Sequence, residues 1–224
     1  DALLKPLQMV SGAIERRHNL PILSNVLLDV TADTLSLTGT DLEVELVAST
    51  EQLQIQSPGR ITVPAKKLLD ICRSLPEQSD IQVAVQGENC VLTSGKSKFT
   101  LSTLSAAEYP NLESWQGEVE INLSRQQLRK LLEDTAFSMA NQDVRYYLNG
   151  LLFEVDNGTL TAVATDGHRL AMSTLALPAV SGQQKQIIIP RKGVLEVMRL
   201  LIADEQLVTL SLGQNHIRLT DSQF

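Results

Sequence analysis

The sequence predicts an α+β fold in which one unit of helices and antiparallel strands is used twice. Segments with apolar residues at helical spacing are followed by segments of alternating apolar and polar residues, the pattern of half-buried strands. The two halves also match almost without gaps. Leu27–Val30 lies 125 residues before Leu152–Val155, and Ile61–Pro64 lies 126 residues before Ile187–Pro190. Solenoid repeats are about 20–50 residues long, so this longer repeat indicates two copies of one domain.

The first copy opens with an amphipathic helix, predicted over Asp1–Arg17 from its apolar residues at helical spacing. Alternation over Val26–Val47 predicts successive strands. A second helix is expected over Pro64–Leu75, because proline is favourable in the first turn of a helix. Short strands separated by glycine turns follow over Ile81–Leu104. The stretch Ser105–Gly117 has no clear period and is interpreted as a linker.

The second copy repeats this order of elements. Its first helix is predicted over Ser124–Ala140, where Gln127 stands three residues after a capping serine, as in a capping box. Strands are expected over Leu151–Ser173, with an Asn-Gly hairpin turn between them. A fourth helix is predicted over Pro190–Ile202, and Leu207–Leu219 supplies further strands.

These boundaries predict one domain over residues 1–117 and a second over residues 118–224. The second copy stops at Phe224, where the first copy still has Lys98–Leu104, and the first copy lacks a strand before Asp1. A sheet without its last strand leaves backbone groups unpaired at its edge. We therefore expect the sequence to be a piece of a longer chain.

Composition excludes several classes of protein. Hydrophobic residues make up 43% of the 224, enough for a packed core, and no apolar run approaches the ~20 residues of a membrane span. There is no secretory signal, and the chain begins at Asp1 and not at a methionine. Cys72 and Cys90 are isolated thiols without a CxxC motif, which favours a reducing cytoplasm. A cytoplasmic location is therefore expected.

Positive charge is concentrated in the predicted helices. They contain 12 of the 19 Lys and Arg residues but only 6 of the 26 Asp and Glu residues, in a chain of net charge −7. The helices thus carry +6 and the rest of the chain −13. Lysine and arginine are good helix formers, which is an alternative explanation, but glutamate is nearly as good and is not enriched. The distribution favours a polyanion bound on the helical side.

A polar turn stands between two apolar runs at Thr165–Arg169, and Thr40–Glu43 repeats it 125 residues earlier. Asp166 beside His168 raises the possibility of acid–base catalysis in a hydrolase. No Ser or Cys nucleophile in a recognisable context and no spaced metal ligands accompany them, so a structural turn is favoured. The sequence also lacks a Gly-rich phosphate loop. We expect no catalytic residue, metal or cofactor.

Six segments together resemble the bacterial DNA polymerase III beta subunit, the sliding clamp family. The resemblance covers essentially the whole chain. Its segments are Gln142–Gly150, Ala164–Ala171, Leu20–Leu23, Leu35–Glu43, Val63–Lys67 and Pro190–Gly193.

The resemblance implies the DNA-clamp fold, with doubled βαβββ units, helices on one side and antiparallel sheets on the other. It implies three domains per chain and two chains closed head to tail in a ring around double-stranded DNA. The function implied is a non-enzymatic processivity factor. Its partners would be polymerase subunits and the clamp loader, bound through short peptide motifs, with no membrane. The third domain is absent from this sequence, so we expect this chain alone to be a monomer.

The resemblance also implies roles for individual residues. DNA would meet Arg17, Gln142, Arg145, Tyr146, Tyr147, Arg191 and Lys192. A shallow peptide pocket would include Leu148, Thr165, Gly167, His168, Arg169 and Leu170. The interface with the other chain would include Lys67, Ile71, Phe99 and Leu101.

Alternatives remain for some of these residues and for the function. Tyr147 could pack against the sheet, and Ile71 and Leu101 could be ordinary core residues. A free-standing nucleic-acid-binding module of the same fold is a second interpretation of the whole chain, and an Asp166/His168 hydrolase is a third.

Overall fold

A computed structural model describes residues 2–14, 20–51, 53–110, 116–177 and 184–222 of the chain. These residues contain four α-helices and fourteen β-strands, and every strand pairing is antiparallel, as the α+β prediction requires. The chain divides into two compact units, residues 1–112 and 113–222.

The first unit contains two helices and two sheets. One sheet has the strand order β3-β2-β1-β4 and the other β5-β6-β7. Its elements are α1 (Leu4–Val10), β1 (Asn25–Val30), β2 (Leu35–Thr40), β3 (Glu45–Thr50), β4 (Gly59–Pro64), α2 (Ala65–Ser74), β5 (Gln82–Gln86), β6 (Asn89–Ser94) and β7 (Ser97–Ser102).

The second unit repeats this arrangement. Its sheets have the orders β11-β10-β9-β12 and β14-β13-β8. Its elements are β8 (Val119–Ser124), α3 (Arg125–Glu133), β9 (Gly150–Asp156), β10 (Thr159–Thr165), β11 (Leu170–Ala176), β12 (Lys185–Pro190), α4 (Arg191–Leu200), β13 (Leu207–Leu212) and β14 (Ile217–Thr220).

The core of the first unit lies between the paired helices and the two sheets. Leu7 and Val10 of α1 are fully buried, together with Leu68 of α2, and they pack with Leu37 and Leu92 from the two sheets. The apolar spacing of the helices faces this core, because only one stripe of each helix is hydrophobic. The helical periodicity of the sequence is confirmed here.

Two helices are shorter than the sequence predicts. The first ends at Val10, where the helix-weakening pair Ser11-Gly12 follows, and residues 15–17 lie outside the described chain. The third ends at Glu133 and is followed by a separate 3-10 turn at Ala136–Ser138. Its capping box is confirmed, with Ser124 and Gln127 each donating a backbone N–H to the other's side chain. In the described residues, no helix combines the length and apolar composition that a membrane span requires.

Three strands lie outside the strand segments that the sequence predicts. They are β4, β8 and β12, and each leads directly into a helix. Val119, Ile121 and Leu123 alternate with exposed residues along β8, so the alternation of apolar and polar residues in the sequence could have predicted this strand.

The predicted linker is also partly structured: Tyr109 is buried, and its hydroxyl donates to the carbonyl of Thr38 at 2.9 Å. The first unit therefore extends beyond residue 105.

Arg125 begins α3 but is buried, with only 3% of its side chain exposed. Its guanidinium donates to Asp204 at 2.9 Å and to both carboxylate oxygens of the fully buried Asp221. A cation in the first turn opposes the helix dipole, and these carboxylates offset it. This side chain therefore does not contribute to the positive helical surface that the sequence predicts.

We expect Arg125→Ala to destabilise the second unit by about 3–5 kcal/mol, because it removes the guanidinium that balances the charge of the buried Asp221 carboxylate. Urea unfolding followed through amide NMR signals of each unit measures the loss. The control is Arg60→Ala, which breaks the exposed Arg60–Asp29 pair (3.0 Å) and should cost less than about 1 kcal/mol. Equal, small losses in both variants would contradict this account of the buried pair.

Candidate functional site

The turn between β10 and β11 is fixed by one carboxylate. Asp166 Oδ1 accepts the backbone N–H of His168 (2.9 Å) and of Arg169 (3.0 Å), and Asp166 Oδ2 accepts from Arg169 Nε at 3.0 Å. The Thr165 hydroxyl donates to the Arg169 carbonyl at 2.7 Å and accepts from the Gly167 N–H at 3.1 Å. The backbone N–H bonds to Asp166 lower the pKa of its carboxyl. This carboxylate is therefore committed to the turn.

Glycine is favoured at position 167, the tip of this turn, for two reasons. Its φ of +88° lies in the left-handed region, which side chains other than glycine's rarely adopt. A Cβ atom there would also lie 3.1 Å from both terminal nitrogens of Arg145. The Arg145 guanidinium thus packs directly against the turn.

Asp143 holds Arg145 in that position. Its carboxylate accepts the Arg145 backbone N–H (2.8 Å), Nε (3.0 Å) and Nη2 (2.8 Å). Hydrogen bonding to the Arg145 guanidinium is the main reason why the pKa of Asp143 falls to about 2. Asn149 closes the same loop: its Oδ1 accepts from the Asp143 N–H and its Nδ2 donates to the Asp143 carbonyl.

Tyr146, Tyr147 and Leu148 form a short 3-10 turn that follows Arg145. The two tyrosine rings meet edge to face with their centroids 5.8 Å apart. Tyr146 is 82% exposed and Tyr147 is also exposed, whereas Leu148 is half-buried. Gln142, at the start of the loop, is exposed and has a φ of +58°.

Large apolar side chains lie exposed beside the turn. Leu170 and Met172 project from the same face of the edge strand β11 and are 65% and 66% exposed. Phe137 is 59% exposed, and the guanidinium of Arg169 lies 5.7 Å from its ring centroid. Phe137 and Met172 are not among the residues that the sequence analysis assigns to the pocket. The two-residue period of β11 could have identified Met172.

The predicted DNA residues of α4 stand at its first turn. The backbone N–H of Arg191 donates to the Asn149 carbonyl at 2.9 Å, and its Nη1 donates to the Met139 carbonyl at 3.2 Å. Arg191 therefore supports the loop that carries Asp143. Lys192 is half-buried beside it. Arg17 lies outside the described residues.

The predicted interface residues lie on α2 and β7 of the first unit. Lys67, Ile71, Phe99 and Leu101 line one concavity of about 480 Å³, together with residues that include Asp70. Leu101 is a core residue with 4% exposure, and Ile71 and Phe99 pack partly against that core. This surface offers to solvent the exposed side chains of Lys67, Asp70, Lys98 and Thr100 and the outer parts of Ile71 and Phe99.

The first unit contains a twin of the β10–β11 turn. Asp41 Oδ1 accepts from the N–H of Glu43 (3.0 Å) and Val44 (2.8 Å), and the Thr40 hydroxyl accepts from the N–H of Leu42 (3.0 Å). Leu42 takes the left-handed φ, +78°, although it is not a glycine. The sequence repeat is therefore also a repeat of hydrogen bonds.

The Asp166/His168 hydrolase receives no support from this geometry. Asp166 is engaged by three donors of its own turn. Across the residues that the structure describes, no group of three or more His, Cys, Asp or Glu side chains could hold a metal ion.

Comparison with known proteins identifies the family. Residues 1–113 match the model of the DNA polymerase III beta subunit, N-terminal domain, and residues 122–224 match its central domain. The chain therefore belongs to the DNA polymerase III beta subunit family.

Individual relatives agree with this assignment. The beta sliding clamp of Pseudomonas putida is 53% identical over 224 residues, which are 100% of this chain and 61% of that protein. The crystal structure of DNA polymerase III subunit beta from Pseudomonas aeruginosa is similar with a TM-score of 0.95 at 52% identity, covering 99% of this chain and 60% of that one. A griselimycin-bound clamp from the same organism gives a TM-score of 0.94 at 52% identity and the same coverage. The predicted clamp fold is confirmed, and the chain spans about three fifths of these relatives.

We expect the Asp143 carboxyl to titrate with a midpoint of about 2, because Arg145 stabilises its charged form. A folded-state pKa below the ordinary 3.8 means that the loop contacts persist from pH 7 to about 4 and weaken as the pH falls through about 2. Carbon NMR of the side-chain carboxyl measures this titration. In Arg145→Gln the midpoint should rise toward 3.8. A midpoint near 4 in the unaltered chain would show that the pair does not form in solution.

Proposed function

We propose that this chain is part of a sliding clamp that tethers replication and repair proteins to duplex DNA and catalyses no reaction. The observation that carries the proposal is that each of the four described helices bears lysine. Lys5 on α1, Lys66 on α2 and Lys130 on α3 are exposed, although Lys130 is paired with Asp134 at 3.0 Å, and Lys192 on α4 is half-buried. Membership of the beta subunit family supports the same conclusion.

Lysine suits the weak, sequence-independent attraction that a sliding protein requires. Its ammonium is a compact point charge on a flexible stem, without the fixed fork by which arginine binds phosphate. Attraction to phosphates also releases counterions and does not depend on base sequence. Lysines on the helices of each unit therefore let DNA move along the protein. Strong recognition of bases would stop that movement.

The loop that begins at Gln142 is proposed to meet DNA beside the first turn of α4. Tyr146 is largely exposed and Tyr147 half-exposed, so their rings are available for stacking on bases or sugars. The exposure of Tyr147 is against its being an ordinary sheet-packing residue. Lys192 adds a positive charge on α4.

The β10–β11 turn is proposed to dock short peptides. Leu170 and the half-buried Leu148 supply apolar surface, Gly167 keeps the tip of the turn low, and His168 and Arg169 supply polar groups. A few convergent polar groups around apolar side chains are typical of small binding sites. We also propose that the concavity at Lys67, Ile71 and Phe99 meets a second chain of the full-length protein in a ring.

A free-standing nucleic-acid-binding module of the same fold is the competing function. Such a module would bind linear and circular DNA equally well. A full-length clamp, by contrast, must form a dimer and be retained on circular DNA. Size-exclusion chromatography with light scattering, and retention on circular against linear DNA, separate the two. A full-length protein that stays monomeric would contradict the clamp.

The DNA proposal is tested by Lys192→Glu in this chain. We expect weaker binding of a 20-base-pair duplex, equally for two unrelated sequences, and a salt dependence whose slope is smaller by about 1. Fluorescence polarisation over a salt series measures both quantities. Lys96→Glu is the charge-matched control, because Lys96 is exposed on the turn between β6 and β7 and not on a helix. A loss that depends on DNA sequence, or equal losses in both variants, would refute the proposal.

The peptide proposal is tested by Leu170→Asp. A labelled Gln-Leu-Ala-Leu-Phe peptide should bind this chain weakly, and the variant should bind it at least about tenfold more weakly, equivalent to ~1.4 kcal/mol, because a charge replaces exposed apolar surface. Fluorescence polarisation at millimolar peptide decides the question. Val85→Asp is the control, since Val85 is similarly exposed on a strand of the first unit. Unchanged affinity in Leu170→Asp would move the docking site elsewhere.

A further inference from the structure

Hydrogen bonds within the chain hold the loop at residues 142–149 in one conformation. The Asn149 side chain bonds both the N–H (2.9 Å) and the carbonyl (2.8 Å) of Asp143, and the Asn149 carbonyl accepts the Arg191 N–H at 2.9 Å. These bonds attach Asp143 to the beginning of α4. The Asp143 carboxylate is therefore held in one place on a surface that is otherwise exposed.

The edge of the Arg145 guanidinium formed by Nε and Nη2 is not available to a phosphate. Its Nε and Nη2 both donate to Asp143, so the planar fork is filled by a bidentate carboxylate. Nη2 also lies 3.4 Å from the Asp166 carbonyl, and both terminal nitrogens pack against Gly167. A phosphate that approached this fork would have to displace the Asp143 carboxylate and would be repelled by its charge.

We propose that Asp143 is a positioning residue for the peptide site: it withholds Arg145 from DNA and fixes it as the wall of the Gly167 turn. This inference rests on the peptide docking proposed above. It reverses the expectation that Arg145 is a DNA contact, and it assigns a function to an acidic side chain within a surface expected to bind a polyanion.

The position of Asp143 makes the assignment specific. An acidic residue beside a DNA surface weakens attraction to phosphate, so a purely DNA-binding loop is better without it. Here the Asp143 carboxylate accepts three hydrogen bonds from Arg145, one of them from the Arg145 backbone N–H. The turn against which Arg145 packs carries Thr165, Gly167 and His168, which are all assigned to the peptide pocket. The loop and the turn are thus coupled through one guanidinium.

The test compares Asp143→Asn, Arg145→Gln and the double variant in this chain, with the same labelled pentapeptide and the same 20-base-pair duplex. Asp143→Asn should weaken peptide binding about fivefold, the lower end of couplings between linked sites. It should also steepen the salt dependence of DNA binding by about 1, since a released guanidinium gains a phosphate contact. The double variant should bind peptide no more weakly than Arg145→Gln alone, because Asp143 acts through Arg145.

The charge-matched control is Asp29→Asn, which breaks the exposed Asp29–Arg60 pair in the first unit and should change neither affinity. Two results would overturn the proposal. One is that Asp143→Asn leaves the peptide affinity unchanged. The other is that adding Asp143→Asn to Arg145→Gln lowers the affinity as much as Asp143→Asn does alone.

A second readout separates this proposal from the proposed docking function. If the unaltered chain binds no peptide, the docking function fails, and the NMR spectra of the free proteins still decide the role of Asp143. The Arg145 Nε–H signal and the amide signals of Gly167 and His168 should shift in Asp143→Asn and stay in place in Asp29→Asn. Unmoved turn signals would overturn the positioning role.

Discussion

The constraint on which the candidate sites depend is the aspartate carboxylate that closes the turn between two antiparallel strands. Asp166 and Asp41 each bind two consecutive backbone N–H groups, and each turn is completed by a threonine hydroxyl. A carboxylate that accepts several N–H bonds stays charged and keeps the backbone in one conformation. The side chains of the turn are then free to vary.

The two copies show how far they vary. The second turn carries Gly167, His168 and Arg169. At the matching positions the first turn carries Leu42, Glu43 and Val44. Leu42 adopts the strained φ that glycine adopts without cost in the twin, so the turn keeps this backbone conformation even with a large side chain at its tip. The same frame therefore presents a glycine with cationic and aromatic neighbours in one unit and an exposed leucine with acids in the other.

The sequence predicts local order well and tertiary partnerships poorly. The capping box at Ser124 and the hairpin turns depend on neighbouring residues, and the structure has them. The burial of Arg125 depends on Asp221, which is 96 residues away, and no local pattern indicates it. The pairing of Asp143 with Arg145 is local, but it places the Arg145 guanidinium against Gly167, which lies 22 residues after Arg145. The family resemblance assigned Arg145 to DNA without regard to this contact.

Arginine and lysine are used differently in the described part of the chain. Six arginines donate to carboxylates of their own unit, namely Arg60, Arg125, Arg129, Arg145, Arg169 and Arg199. Two lysines also pair with carboxylates, Lys130 with Asp134 and Lys185 with Glu118. Arginine's planar fork matches a carboxylate, so it favours such fixed pairs more often, whereas lysine keeps its charge mobile on a long stem. A protein that must hold its own loops rigid and still attract DNA weakly benefits from this separation. The positive charge counted in the sequence is thus partly structural, and the part available to a polyanion is carried mainly by exposed lysines such as Lys5 and Lys66.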